Sequence, residues 1–231
     1  MNGTHLRLAG IVANSNERLE NENRKIFDAL GVFAINLMGS PGSGKTHLIL
    51  RTIQGLSAQL QIGVVEGDTT SVTLDSEQVM ASGVPVTDVN TGGSACVDGT
   101  MLSSAMAKLP LSQLDLVLVE NVGNLILPAS PKLGTHANVL VASVPEGDDK
   151  PYKYPSIYSS ADVVILNKTD LLPAVPFDLA YFRRGIQRVN PAALVFLLSA
   201  YTGADVHRWF DWLFEQCGLP KKASAMQRRP E

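Results

Sequence analysis

The chain has 231 residues, 45% of them hydrophobic, which is enough apolar material for one well-packed α/β domain and short for two. A formal net charge of −3 supplies no basic field, so neither nucleic acid nor a membrane surface is an expected partner. Cys96 and Cys217 show no pairing signature, which suits a reducing compartment.

The opening MNGTHLRLAG lacks a basic region followed by an apolar core of signal-peptide length, and the longest apolar runs are strand-sized. A cytoplasmic protein is therefore expected. Asn14 can cap a helix, with Glu17 three residues on to reach back, and Leu19, Ile26, Phe27 and Leu30 form its apolar stripe before Gly31 ends it. Residues 1–30 thus read as an N-terminal extension and helix packed on a domain spanning 31–218, and 219–231 as a polar tail whose KKASAMQRRPE is expected to fray.

Val32 to Met38 reads as a buried strand that runs into a glycine-rich turn, with a helix from His47 to Ala58 after it. Further strands are expected at Ile62–Val65, Val86–Val89, Leu114–Val119, Asn138–Ser143, Val163–Leu166 and Leu194–Leu198. Most are continuous apolar runs, as strands covered on both faces are. Spacers of roughly 20 to 30 residues can hold crossover helices, so the pattern predicts a single α/β domain, doubly wound, with a mainly parallel sheet and helices on both faces. Val206, Trp209, Phe210 and Leu213 fall at helical spacing and read as core.

The turn Gly39-Ser40-Pro41-Gly42-Ser43-Gly44-Lys45-Thr46 matches G-x-x-x-x-G-K-[ST] between a strand and a helix. Its glycines let backbone N–H groups face a β-phosphate, the helix N-terminus adds partial positive charge, Lys45 reaches the β- and γ-phosphates, and the Thr46 hydroxyl ligates Mg²⁺. His47, just inside the helix, suits either a helix-cap or a phosphate-side role. A site of this kind also needs a carboxylate at a neighbouring strand end. Glu120 emerges at the carboxyl end of its strand, whereas Asp115 lies near the start and reads as a solvent-edge residue. Asn121-Val122-Gly123 reads as the start of a segment that senses the γ-phosphate. Asp68 holds the equivalent place on a second strand, as a magnesium-shell residue or a helix cap. Thr69 to Asp75 is the candidate first switch, in which Thr70, Thr73 or Asp75 can meet the metal or the attacking water.

Asn167-Lys168-Thr169-Asp170 follows a strand, and this pattern separates guanine from adenine. A carboxylate at Asp170 accepts from guanine N1–H and N2–H₂, a pair adenine does not present, while Lys168 covers the ring and Asn167 ties the loop to the phosphate turn or the base. Ser199, Ala200 and Tyr201, at the end of the next strand, complete the expected base pocket. GTP and GDP with Mg²⁺ are the expected ligands, and hydrolysis is expected to proceed by positioning and charge neutralisation with slow intrinsic turnover.

With these motifs placed, the stretches between them resemble the HypB family of hydrogenase maturation GTPases, in the nucleotide-dependent dimerising branch of P-loop G proteins. The resemblance runs from the helix before Gly31 through VFAINLMGSPGSGKT, VVEGDTT, NTGG, VENVGNL, VPEGDDKPYKYP, ILNKTDLLP and LLSAYTGADVHRWFDWL, with ENVGNL and EGDDKPYKYP the most specific. It implies a GTP-controlled accessory protein for nickel insertion into the [NiFe] hydrogenase large subunit. A homodimer formed or tightened by GTP and a small zinc- and nickel-binding partner are implied too. Lys153 would then lie near the nucleotide or the dimer interface, or else be a solvated loop lysine.

The family loop N-T-G-K-G-C-H-L-D supplies a Cys and a His to a metal shared across the dimer, with a further Cys after E-N-V-G-N-L-[VI]. Aligned on Asn90 and Asp98, this chain has Ala95 in place of that Cys, Cys96 in place of the His, and Leu127 in place of the later Cys. One thiolate per chain gives two soft ligands at a two-fold interface, fewer than a tetrahedral zinc site takes. Cys96 is therefore either a nickel or zinc ligand in a reduced site, with Asp98 or Glu120 completing it, or a small apolar residue near a dimer surface. Three other readings compete: a GTP-regulated scaffold without metal handling, a urease-type nickel GTPase, whose Cys-Pro-His motif is missing, and a small-molecule kinase, which NKTD disfavours.

Overall fold

The structure, a computed structural model, describes residues 17–68, 74–126 and 133–218, with only the backbone described at 68 and 74–76. Asn14, the 219–231 tail, residues 69–73 of the first switch and Leu127 lie outside these ranges.

The elements in chain order are α1 (17–30), β1 (Phe33–Met38), α2 (Lys45–Leu56), β2 (Ile62–Asp68), α3 (Leu74–Met80), β3 (Val86–Asn90), α4 (Gly99–Met106), β4 (Leu116–Glu120) and β5 (Ala137–Ser143). They continue with α5 (Lys150–Lys153), α6 (Pro155–Ser159), β6 (Val163–Asn167), α7 (Leu179–Val189), β7 (Leu194–Leu197) and α8 (Val206–Gln216). The strands form one seven-stranded sheet in the order β3-β2-β4-β1-β5-β6-β7, and every pairing is parallel. β1 is central. From it the chain winds to one side through β2, β3 and β4, then crosses to the other, so the crevice beyond the carboxyl end of β1 is where a ligand is accommodated.

Side-chain alternation divides the core into layers. Ile35 and Leu37 of β1 pack with Leu48, Ile49 and Ile53 of α2 and Trp209 and Leu213 of α8. Ala34 points the other way, towards Phe27 of α1 and Leu102 of α4, and Met38 towards Ile157 and Phe182 of α6 and α7. Each fully buried aliphatic side chain contributes about 1.5–3 kcal/mol. Trp209 has no exposed surface and donates its indole N–H to Thr52 Oγ1 at 2.9 Å, which joins α8 to the helix after the phosphate turn.

All seven expected strands are present, but several ends move. β2, β4 and β6 run on to Asp68, Glu120 and Asn167, so polar residues expected just beyond the strands are themselves the last rungs of the ladders. β4 begins at Leu116 because Leu114 closes a 3₁₀ turn over Leu111–Gln113.

The expected stripe on α1 is corrected more strongly. Phe27 is buried, but Ile26 and Leu30 are 41% and 43% exposed. Polar bonds hold the helix where apolar contact was expected. Asn23, 1% exposed, donates to the carbonyls of Gly99 and Leu133 at 2.9 and 3.1 Å, and Arg24 reaches those of Gly134 and Thr135.

The same joint contains a titrating group. The Ala34 N–H donates to His136 Nδ1 at 3.0 Å, which leaves Nε2–H to donate to Asp28 at 2.9 Å and fixes the neutral tautomer. Burial lowers the His136 pKa, against the opposing pull of Asp28. A histidine depressed in the folded state takes up its proton first in the unfolded chain, so stability present above about pH 6.5 is lost as pH falls below it. The urea midpoint is expected to drop between pH 7.5 and 5.5, and His136→Gln to make that drop shallower. An equal drop in both proteins would remove His136 from the account.

A buried row of amides crosses the sheet behind the phosphate turn. Asn121 Oδ1 accepts from the N–H of Val97 and of Val122, both at 2.9 Å, while its amide donates to Asn36 Oδ1 at 3.1 Å. Asn36 in turn donates to Asn138 Oδ1 at 3.0 Å, and Asn138 to the Ser160 carbonyl at 3.3 Å. The backbone donors at one end set the direction of every bond in the row.

Candidate nucleotide-binding site

Residues 39–44 leave β1 and return to α2, whose first residues are Lys45 and Thr46. The helix starts two residues earlier than expected because Gly44, at φ 94°, makes a left-handed turn directly before it. Lys45 is only 6% exposed and folds under the turn, its ammonium 3.4 and 3.3 Å from the carbonyls of Gly39 and Ser40. The hydroxyl oxygens of Ser40 and Ser43 are buried without hydrogen-bond partners among the described residues. Orphaned hydroxyls of this kind cost about 1–3 kcal/mol each, so a turn that gathers two of them beside a lysine and a helix N-terminus is built for an acceptor-rich group such as phosphate.

The Thr46 hydroxyl donates to Glu120 Oε1 at 2.9 Å, which brings two of the three expected magnesium-site residues together. Beyond Glu120 the chain lies along the phosphate turn. Gly123 packs so closely on Pro41 that a Cβ would sit 2.8 Å from the Pro41 nitrogen, and the Asn124 N–H bonds to the Gly39 carbonyl at 3.1 Å. Glu66, which the sequence reading passed over, stands in register with Glu120 on the neighbouring strand and is 8% exposed. A carboxylate inside an otherwise apolar strand was the available signal.

The base-side residues are fastened to this turn. Asn167 donates to the Ser43 carbonyl at 3.0 Å and accepts from the N–H groups of Lys168 and Ala200 at 2.8 and 3.0 Å. A Cβ on Gly44 would lie 2.4 Å from the Asn167 amide nitrogen, so the close approach requires glycine. Lys168 itself adopts φ 60°, and its ammonium reaches the Gly42 carbonyl at 2.7 Å, laying the stem across the site. Asp170 is exposed in the 3₁₀ turn Thr169–Leu171. Ser199 is buried and accepts from the Thr202 N–H at 3.1 Å, shaping the loop that carries Ala200 and Tyr201.

Between these walls lies a cavity of about 810 Å³. Pro41, Gly42, Gly44, Lys45, Thr46 and His47 form one side, Glu120, Val122 and Gly123 a second, and Asn167, Lys168, Asp170, Leu171, Ala200 and Tyr201 the third. Gly39, Ser40, Ser43 and Ser199 stand behind this lining. Asp68 closes β2 opposite Asn90, and Asp75 is the second residue of α3. Lys153 is not brought to the cavity. It is exposed on α5 and paired with Asp149 at 2.5 Å.

Cys96 stands apart, half-buried in the loop before α4, and its thiol pKa is raised by burial and then by Asp98. The Asp98 carboxylate caps α4, accepting from the Met101 N–H at 2.8 Å. Among the described residues no group of three or more His, Cys, Asp and Glu side chains could hold a metal ion. Among those residues Cys96 therefore has no soft tetrahedral set around it within one chain. Nor is any helix among those residues long and apolar enough to cross a membrane.

Comparison with known proteins agrees with this geometry. Residues 33–196 match the family model of the CobW/HypB/UreG nucleotide-binding domain. The hydrogenase maturation factor HypB of Azotobacter vinelandii is 41% identical over 218 residues, covering 94% of this chain and 72% of that protein. The crystal structure of the HypB maturation factor from Archaeoglobus fulgidus superposes with a TM-score of 0.82 at 36% identity, covering 88% of this chain and 99% of that one. HypB from Helicobacter pylori, solved in complex with nickel, gives 0.83 at 30% identity over 91% of this chain and 99% of that one. The chain belongs to the CobW/HypB/UreG nucleotide-binding family and, within it, to the HypB hydrogenase maturation factors.

Proposed function

We propose that this maturation factor binds GTP with Mg²⁺ and hydrolyses it to GDP and phosphate, and that the nucleotide state times nickel delivery to a [NiFe] hydrogenase large subunit. The observation that carries the reading is the joining of the phosphate turn to the guanine motif by Asn167 on Ser43 and Lys168 on Gly42, around one cavity. Thr46 would hold Mg²⁺, with Glu120 and Asp68 in its shell, and Thr46 already meets Glu120. The ion would supply charge neutralisation at the β- and γ-phosphates.

Lys45 and the turn's N–H groups hold the terminal phosphate in line. A water oxygen bonds to the γ-phosphorus, the bond to the β–γ bridging oxygen breaks, and GDP departs with that electron pair. Asp75 belongs to the segment that would meet the metal or the water. Competition binding tests the reading: GTP is expected to displace a labelled guanine nucleotide at concentrations at which ATP does not, and equal displacement would overturn it.

In this reading the protein works in the cytoplasm as a dimer tightened by GTP, together with a small nickel-binding maturation protein. Nickel is its cargo, and Cys96 the candidate contact, contributed once by each protomer. A scaffold that leaves metal handling to its partners is the second reading, favoured by the raised Cys96 pKa and by the lack of a three-ligand cluster among the described residues. Nickel titration of wild type and Cys96→Ala, with and without GTP, separates the two. A cargo role requires the variant to lose stoichiometry, and equal stoichiometry assigns metal handling elsewhere.

A further inference from the structure

Arg51 lies on the inner half of α2, away from the phosphate turn, and the binding motifs give it no part. Its guanidinium spans to the far side of the cavity. Nε donates to the Ala200 carbonyl at 2.8 Å and Nη2 to the Tyr201 carbonyl at 2.6 Å, across about 150 residues of sequence. The planar fork of the guanidinium engages two successive carbonyls at once through two donors held in fixed geometry, which the rotating, compact ammonium of a lysine does not reproduce.

The loop so held is otherwise tied mainly to itself. Ser199 N–H bonds to the Ala204 carbonyl at 3.0 Å, Gly203 N–H to the Ser199 carbonyl at 2.8 Å, and Thr202 N–H to Ser199 Oγ at 3.1 Å. Among the described residues another outward tie is the Ala200 N–H on Asn167 Oδ1 at 3.0 Å. Asn167 thus holds the loop to the guanine motif, and Arg51 holds it to the helix whose first turn holds the phosphates.

A second consequence follows from peptide planarity. In a trans peptide the C=O and N–H of one plane point in opposite directions. With the Ala200 carbonyl drawn to Arg51, the Tyr201 N–H is turned away from α2, and both residues line the cavity. A donor fixed in that direction suits an acceptor on the base edge and disfavours an amino group there. Guanine and hypoxanthine present a carbonyl at the ring position where adenine presents an amine.

We propose that Arg51 is a positioning residue for base selection: it fixes the Ala200–Tyr201 peptide against α2, so that the loop discriminates a 6-oxopurine from a 6-aminopurine. The proposal rests on the guanine-nucleotide reading above and adds a residue outside its motifs. Arg51 acts through the loop and touches no ligand.

The test is the ratio of GDP to ADP affinity, measured by calorimetry on the full chain for wild type, Arg51→Met and Arg51→Lys. Methionine keeps the apolar stem and removes both donors; lysine restores the charge and a donor for one carbonyl. Arg51→Met is expected to lower the GDP-to-ADP ratio about tenfold, the value of one charge-assisted hydrogen bond, with ADP affinity nearly unchanged. Arg51→Lys should fall between. A residue that only stabilises α2 would lower the melting temperature and weaken both nucleotides alike.

An unchanged ratio in Arg51→Met, with wild type preferring GDP, overturns the role of Arg51 and leaves the guanine reading standing. Parallel loss of both nucleotides overturns it as well. A wild type that does not prefer GDP overturns the guanine reading itself and this inference with it. Should Arg51→Met fail to fold, the lysine variant decides alone: a lowered ratio supports the role and a wild-type ratio overturns it.

Discussion

Lys45→Ala is expected to lower GTP turnover by at least about a hundredfold, the usual cost of removing one preorganised group that meets developing charge. The size follows from where the ammonium is held. At 6% exposure Lys45 is largely cut off from water, and its contacts to the Gly39 and Ser40 carbonyls, at 3.4 and 3.3 Å, are long for hydrogen bonds. Those carbonyls hold the charge under the turn. A γ-phosphate seated in the turn would compete for it, and charge appearing there during cleavage would meet a cation that needs no rearrangement. Phosphate release under saturating GTP measures the effect. The fold should survive, because the apolar layers on both faces of the sheet are built from other residues, and circular dichroism checks that. Turnover within tenfold of wild type would mean that another cation does the work assigned to Lys45.

Asp170→Asn is the second large effect: GTP affinity is expected to fall by about a hundredfold or more, with xanthosine triphosphate becoming the better ligand. The carboxylate stands at the cavity wall in a turn braced by the Leu171 N–H on the Lys168 carbonyl at 3.0 Å and the Thr169 N–H on the Leu198 carbonyl at 3.3 Å. It can therefore accept two parallel bonds from guanine without first being ordered. An amide in its place offers one acceptor and one donor, a mismatch to the guanine N2 amine and a match to the xanthine C2 carbonyl. Unchanged preference in this variant would remove Asp170 from base recognition.

Much of the architecture was legible because buried parallel strands are written mainly as continuous apolar runs, as most of the seven are here, whereas β3 with Thr87 and Asp88 alternates instead. The strand ends were less so. A pattern of apolar residues stops at Val65, Val119 or Leu166, whereas the ladders continue to Asp68, Glu120 and Asn167 because a terminal rung needs backbone pairing and not an apolar side chain. The motif residues of the phosphate turn and the guanine motif were readable for the opposite reason: their spacing is local. What spacing cannot carry is a contact between a side chain and a remote carbonyl. Arg51 on residues 200 and 201, and Asn23 on residues 99 and 133, are of that kind. α1 shows the same limit, since a stripe that looks apolar on a wheel is fixed in place by amide and guanidinium bonds.

The amide row through Asn121, Asn36 and Asn138 bears on how this sequence can drift. Each member is a donor to the next and an acceptor from the one before, so replacing any single one takes an acceptor from the neighbour on one side and a donor from the neighbour on the other. An aspartate substitution removes the donor and adds a charge; an aliphatic one leaves both neighbours wanting. Substitution there is a joint event, and the three positions should travel through descent as one inherited unit.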